Sequence, residues 1–545
     1  MNGAQALIRT LAECGVEICF ANPGTSEMHL VAALDAVPQT RGVLCLSEGA
    51  VTGAADGYGR MTGRPAAALL HLGPGLGNGL SNLHNARRAA TPLLTVVGDH
   101  ATYHKRLDAP LESDIDSIAR PVSVWVRRSL RAADVAADAA DAVGAACAPP
   151  GGVATLIVPA DVGWTEGGEP ALPLTPRPPA LVPDDVIGSA AKALRTGQPC
   201  VILLGGTGMR QPALQAASRI AAATGARLIG ETFPARHERG AGIPALERLA
   251  YLAEFAAEQL AGTRHLILAG ARSPVSFFAY PGKPGSLVPA GCQVHVLAGS
   301  GDDVAGALAS LADLVAGGIA PAAQPAARPA LPVGDLTPQS AAAVIGALLP
   351  EGAIVCDEAV TSGLFLPAAT AGAPAHDWLT LTGGAIGQGL PLAIGAAIAC
   401  PQRPVIALEA DGSAMYTISA LWTHARESLD ITTVIFNNRR YAILAMELDR
   451  VGAAADGPAA RSLLDLSRPS LDFTALAAGM GVPASRAATA EEFAAQLSNA
   501  LDEPGPHLIE ALIALLSGRG PPTQRRSPRA SGPTCRECRR REQPV

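Results

Sequence analysis

Nowhere in the 545 residues is there a continuously apolar run long enough to cross a bilayer. The opening segment, MNGAQALIRTLAECGVEICF, has no basic region followed by a continuous apolar core. A membrane span and an export signal are therefore not expected, and the chain reads as cytoplasmic. Charge is sparse, 16% of residues against 48% hydrophobic, and the net charge of −7 gives no general reason to expect nucleic acid as a partner. The ten cysteines sit mostly alone in apolar stretches, as Cys19, Cys45 and Cys356 do, and so read as small hydrophobes and not as a disulfide framework. Cys535 and Cys538 form one CxxC, without the two further ligands that zinc would need. A dinucleotide fingerprint is missing as well. In GPGLGNG, Asn78 stands where a GxGxxG frame starting at Gly73 needs its last glycine, and GGTGM at 205–209 fails the same test. A nicotinamide dehydrogenase is thus the weaker reading.

What is present points to an α/β protein. The length exceeds one core and suggests three domains. Two Pro-rich stretches, 166–185 and 320–338, interrupt the helix and strand patterns and read as linkers. We expect domains at 1–165, 186–319 and 335–516, each a mostly parallel sheet with helices on both faces. From residue 517 to 545 the composition turns Arg-rich and loses its apolar period, so a disordered tail is expected there.

The most informative segment is EADGSAMYTISALWTHARESLDITTVIFNN, residues 409–438. An apolar β-branched run, a helically spaced stretch and a second apolar run make it a β-α-β unit. A right-handed crossover brings both strand ends to one edge of a parallel sheet, the edge where open α/β sheets bind ligands. Asp411 and Asn438 both fall at that edge. Gly412 and Ser413 open the intervening helix, whose free N–H groups favour an anion, with Gly412 allowing a phosphate to approach closely. One carboxylate, one amide oxygen and a phosphate suit magnesium, which takes few protein ligands and completes its six oxygens with phosphate and water. Taken singly, DG and NN are ordinary turn residues; the spacing of one crossover unit between them is what carries the argument.

The D-G-S…N-N pattern, with SAMYTISALWT at 413–423, resembles the diphosphate-binding motif of thiamine-diphosphate-dependent enzymes of the acetolactate synthase and benzoylformate decarboxylase branches. The similarity, in order and spacing of motifs, covers about residues 1–515. It implies the thiamine-diphosphate-binding fold for the first and third domains, thiamine diphosphate and Mg²⁺ as cofactors, and Asp411, Asn438 and the Arg440 carbonyl as metal ligands. Ala410 departs from the glycine usual in the family. By the same resemblance, Asp357, Glu358, Val360, Thr361, Gly384, Ile386, Gly412, Ser413, Tyr441, Ala442 and Ile443 lie at the cofactor, Ile386 being the bulky aliphatic residue that holds it bent.

In FANPGTSEMHL, LSEGAVTGAADGYGRMTGRPA and LLHLGPGLGNGLSNLHNA, the resemblance makes Glu48 the proton donor to the aminopyrimidine. It makes His71 one of two active-site histidines and Thr25 the hydroxyl that meets the substrate carboxylate. The second histidine has no counterpart, because SFFAYPG offers Phe277 and Phe278 instead. The implied activity is on 2-oxo acids, by decarboxylation and/or carboligation as in acetolactate synthases. The alternative is simple aldehyde release as in benzoylformate decarboxylase, and a non-catalytic relative is a third possibility. The family implies a homodimer or homotetramer with the active site at the subunit interface. Whether a flavin (FAD) is also bound is left open by these motifs.

Overall fold

Runs such as LLTVVGD at 93–99 and ITTVIFN at 431–437 are buried along their whole length. Backbone of that kind belongs in a sheet covered on both faces, and in the computed structural model both are interior strands, paired in parallel with both neighbours. Residues 1–453 and 457–514 are described; the expected tail, with Cys535 and Cys538, lies outside the described residues. Three sheets result. The first has the order Arg41–Leu44, Ile18–Asn22, Ala67–His71, Leu93–Asp99, Val153–Pro159, Trp125–Arg128, all parallel. The second runs Glu247–Arg248, Arg227–Gly230, Cys200–Leu204, His265–Ala269, Gln293–Ala298, also parallel.

The third sheet runs Ala484–Ala487, His507–Leu512, Ile431–Asn437, Val405–Ala410, Ile354–Glu358, His376–Thr380 and finally His237–Arg239. The last strand was not anticipated. It comes from the middle of the chain and pairs antiparallel, His237 opposite Trp378 and Arg239 opposite His376. Three residues flanked by loops carry too little periodicity to register as a strand in sequence. The Pro-rich segments 167–183 and 316–337 run without helix or strand ladder.

The first and third sheets share one core. The helix Glu48–Thr62, started by the Ser47 side chain accepting the Ala50 amide, packs on the helix Gly389–Ala399. Small residues let the two backbones touch, for a Cβ on Gly57 would lie 2.1 Å from the Leu392 carbonyl oxygen and one on Gly395 1.9 Å from that of Ala54. A buried ion pair, Arg60 to Asp56 at 2.7 Å, secures the same interface. Asp56 also accepts from Thr91 and Gln388, and Arg60 donates to the Thr380 carbonyl at 2.8 Å. Each charge has partners from both halves, as burial of an ion pair requires. The thiols of Cys19 and Cys45 are buried and pushed up to about 12 by desolvation, which keeps them inert. No helix among the described residues is long and apolar enough to cross a membrane.

Candidate active site

Strand order locates the ligand edge of each sheet. In the first sheet the chain passes from Ile18–Asn22 to one side and then returns to Ala67–His71 on the other, so the crevice opens between those two strands. Two side chains meet there. Glu27, in the turn Thr25–Glu27, is fully buried. Its Oε2 accepts the Gly24 amide at 2.7 Å and lies 2.8 Å from His71 Nδ1. Burial pushes its carboxyl up, while the Gly24 amide and His71 pull it back. Glu27 Oε1 is buried with no hydrogen-bond partner among the described residues, pressed against Gly98, where a Cβ would come within 1.7 Å. The carboxylate therefore orients the partly exposed His71 ring through Nδ1, and Nε2 has no hydrogen bond among the described residues. Thr25 is exposed beside this pair.

Glu48 begins the next helix, and its carboxylate accepts from Asn78 Nδ2 at 3.2 Å. The sequence reading missed Glu27; the only signal was its place two residues after Thr25 in NPGTSE.

In the third sheet the reversal falls between Ile354–Glu358 and Val405–Ala410, with Ile431–Asn437 alongside. Asp411, Asn438 and the 358–361 turn thus emerge side by side. Asp411 is 2% exposed. It accepts the amides of Gly412 at 2.8 Å, Asn438 at 3.1 Å and Arg439 at 2.6 Å, while burial pushes its carboxyl up. Of the two asparagines, Asn437 turns into the core and donates to Glu510 at 2.7 Å. Asn438 is partly exposed at the strand end, its Oδ1 accepting the Arg440 amide at 3.0 Å.

The donor set suits a hard cation. About four lone-pair sites on a carboxylate, less the three amides Asp411 already accepts, leave one, and the Asn438 amide oxygen keeps one. Among the described residues the Arg440 carbonyl accepts only the Ala442 N–H, at 3.0 Å, and keeps another. Three protein oxygens with the rest from phosphate and water fit magnesium. No cluster of three His, Cys, Asp or Glu exists among the described residues, and this arrangement does not require one.

Other expected cofactor residues behave differently. Glu358 is buried, and its carboxylate accepts the amides of Gly387, Gln388 and Gly389 at 2.6–2.8 Å. It thereby caps the helix Gly389–Ala399, with burial pushing it up to about 7. Its contribution is to hold the Gly384–Gly387 loop in place. Asp357 turns to the Trp378 Nε1 at 3.0 Å. Gly412 has a reason other than phosphate access, because a Cβ there would sit 2.3 Å from the Tyr441 ring. Ser413 is buried in the short helix Asp411–Ala414, and Ala442 and Ile443 open the helix Ala442–Arg450.

Gly384, with φ +75°, lies under Phe277, and a Cβ on it would be 2.7 Å from that ring. Phe277 stacks with Phe278, Tyr251 and Phe233 at centroid distances of 4.9, 5.2 and 5.8 Å. Ile386 is partly buried in the same loop, which Asn85 holds by donating to the Ala385 carbonyl at 2.7 Å.

Backbone strain marks the same places. Leu72, Val360 and Arg439 are non-glycine residues with φ of +49°, +50° and +60°, and each lies one or two residues past a strand end described above, His71, Glu358 or Asn437. Such conformations persist where surrounding structure imposes them and gather at functional sites.

Comparison with known proteins is decisive at this point. The model for "Thiamine pyrophosphate enzyme, N-terminal TPP binding domain" matches residues 1–119, and that for the C-terminal TPP binding domain matches residues 367–511. A Mycobacterium tuberculosis protein carrying an acetolactate synthase large-subunit name, IlvX, is 64% identical over 95% of this chain and 100% of its own length. The chain belongs to the thiamine pyrophosphate enzyme family. It is of the acetolactate synthase and benzoylformate decarboxylase type, being also 32% identical to benzoylformate decarboxylase of Pseudomonas aeruginosa over 91% of this chain and 96% of that one. The fold of this thiamine pyrophosphate enzyme agrees. The thiamine diphosphate-dependent 4-hydroxybenzoylformate decarboxylase of Rhodococcus jostii RHA1 superposes with a TM-score of 0.82 at 26% identity, over 94% of this chain and 99% of that one.

Proposed function

We propose that this protein is a cytoplasmic, magnesium-dependent thiamine diphosphate enzyme that decarboxylates 2-oxo acids, with carboligation to a second carbonyl compound competing with aldehyde release. The observation that carries the reading is the convergence of Asp411, Asn438 and the Arg440 carbonyl, each with an oxygen lone pair to spare, at the reversal point of the third sheet. When bound, thiamine diphosphate supplies a nucleophilic carbon and an electron sink. Asp411, Asn438 and the Arg440 carbonyl would hold Mg²⁺ on the diphosphate. Gly384 and Ile386 would seat the ring system, and Glu48 would hold a proton at the aminopyrimidine. Thr25 would donate to the substrate carboxylate. His71, oriented by Glu27, would move a proton at the reacting carbon.

The carboligation reading is favoured by the aromatic group over Gly384. Phe277 and Phe278 stand 42% and 53% exposed where a second proton carrier would otherwise face the site, so an apolar acceptor is accommodated and protonation is slower. We further propose at least a homodimer, with Glu48 and Asp411 of different chains serving one cofactor. Exposed Leu46, Leu364, Phe365 and Tyr416 near these motifs are suited to burial by a second copy.

The test is incubation of the cofactor-loaded protein with a panel of aliphatic and aromatic 2-oxo acids, with and without added aldehyde, reading products by mass spectrometry. Hydroxyketones are expected. Aldehyde alone throughout would remove the carboligation reading, and no product from any acid would remove the substrate class. Active monomers in sedimentation velocity would contradict the shared site.

A further inference from the structure

A second cavity, of about 270 Å³, lies between the middle of the chain and the third sheet, lined among others by His237, Arg239, Leu246, Arg248, Pro367 and Trp378. It is distinct from the strand-end crevice. Its charge is unbalanced. Arg239 is committed, donating to Thr370 at 2.9 Å and to the Pro367 carbonyl, with its guanidinium 5.2 Å from the Trp378 ring centroid. Arg248 is not; among the described residues its partly buried guanidinium has neither a hydrogen bond nor an ion pair. Among the described residues the one carboxylate that both arginines feel is Asp357, and it already accepts from the Trp378 Nε1 and the Ala359 amide. Burial pushes Arg239 down to about 10, with Arg248 repelling it, and pushes His237 well below its ordinary range, so His237 adds no charge at neutral pH. Two guanidinium groups against one carboxylate leave a single positive charge facing the cavity.

A guanidinium without acceptors in a pocket is costly unless a ligand completes it, and its planar fork matches a carboxylate with two parallel bonds. Most of the rest of the lining is apolar, with Ile243, Pro244, Leu246 and the Trp378 ring; Gln324 and Thr380 are polar, and the Thr380 hydroxyl is committed to the Pro234 carbonyl at 2.8 Å. The volume falls just below the usual range for ligand sites, ~300–1,000 Å³, which limits the occupant to a small molecule. We infer that this cavity is a binding site for a small aliphatic carboxylate, its anionic head on Arg248 and its hydrocarbon against Leu246 and Trp378.

The experiment titrates the full chain, saturated with thiamine diphosphate and Mg²⁺, with isovalerate, isovaleramide and inorganic phosphate in a calorimeter. These compounds lack a keto group and are not turned over. Isovalerate is expected to bind, with affinity falling at least tenfold in Arg248→Met and partly recovering in Arg248→Lys, while isovaleramide does not bind. Isovalerate binding unchanged in Arg248→Met would overturn the assignment. So would isovaleramide binding as well as the acid, or phosphate binding through Arg248 where isovalerate does not. A crystal of the wild-type isovalerate complex serves if Arg248→Met does not fold: the carboxylate against Arg248 supports the site, and density only elsewhere overturns it.

Discussion

Gly98→Ala tests the Glu27–His71 pair without touching either residue. Gly98 lies buried in the strand Leu93–Asp99, and the added methyl would stand 1.7 Å from Glu27 Oε1 and 2.5 Å from Cδ, against a limit of 3.0 Å below which real contacts are essentially never found. The carboxylate must retreat by about 1.3 Å or more. Its bonds to His71 Nδ1 at 2.8 Å and from the Gly24 amide at 2.7 Å then stretch to about 4 Å, beyond hydrogen-bond length. His71 is partly exposed and recovers water, but the Gly24 amide and Glu27 do not fully do so. At about 1–3 kcal/mol for each buried group left unpaired, the loss of stability should be about 2–4 kcal/mol. Displacing an oriented group by about 1 Å should lower kcat/KM on the active 2-oxo acid by about 10²-fold.

Denaturant titration and steady-state kinetics measure both. The double variant Glu27→Ala/Gly98→Ala sharpens the test, because the methyl then enters space the carboxylate has vacated. Its stability should lie within about 0.5 kcal/mol of Glu27→Ala alone, while activity stays low. Wild-type melting of Gly98→Ala, or two losses that simply add, would refute the steric argument.

Asp411→Asn keeps one oxygen for the Asn438 and Arg439 amides, so the protein should fold, yet Mg²⁺-dependent thiamine diphosphate affinity by calorimetry should drop more than the ~10–100-fold typical of an outer ligand; retained affinity would argue against Asp411 as the metal residue. Glu48→Gln should bind cofactor but slow exchange of its C2 proton, followed by NMR in D₂O, by about 10²–10⁴-fold; unchanged exchange would dismiss Glu48 as the proton source. Glu231 is pushed up to about 7 by burial, with the Gly206 amide at 2.9 Å and the charges of Arg272 and Arg88 opposing. A carboxyl raised on folding contributes fully below its unfolded value and loses that contribution as pH rises through about 7. Glu231→Gln, which can still accept from Gly206, should therefore melt like wild type at pH 5 and higher at pH 8; the same difference at both pH values would show that titration is not the cause.

Much of the fold was legible because buried parallel strands are written as continuous apolar runs, and their spacing reports crossovers directly. Asp411 and Asn438 could be placed on one edge from a single β-α-β unit, since both the period and the handedness of such units are set by backbone geometry. That Asp411 would also hold the 438–439 amides, that Glu358 would cap a helix thirty residues on, and that Phe277 would lie over Gly384 were not legible. Each joins positions far apart in sequence, with no periodic pattern to announce it. Glu27 shows the limit most clearly. Its neighbours in sequence identify it as a turn residue, and only the return of the chain at His71 and Gly98 makes it a buried carboxylate aimed at an imidazole. Local sequence thus determined most of the strands and where they end, the short His237–Arg239 excepted; the tertiary structure decided which strand ends face one another, because that choice rests on strand order and packing between distant segments, and chemistry needs the side chains those ends bring together.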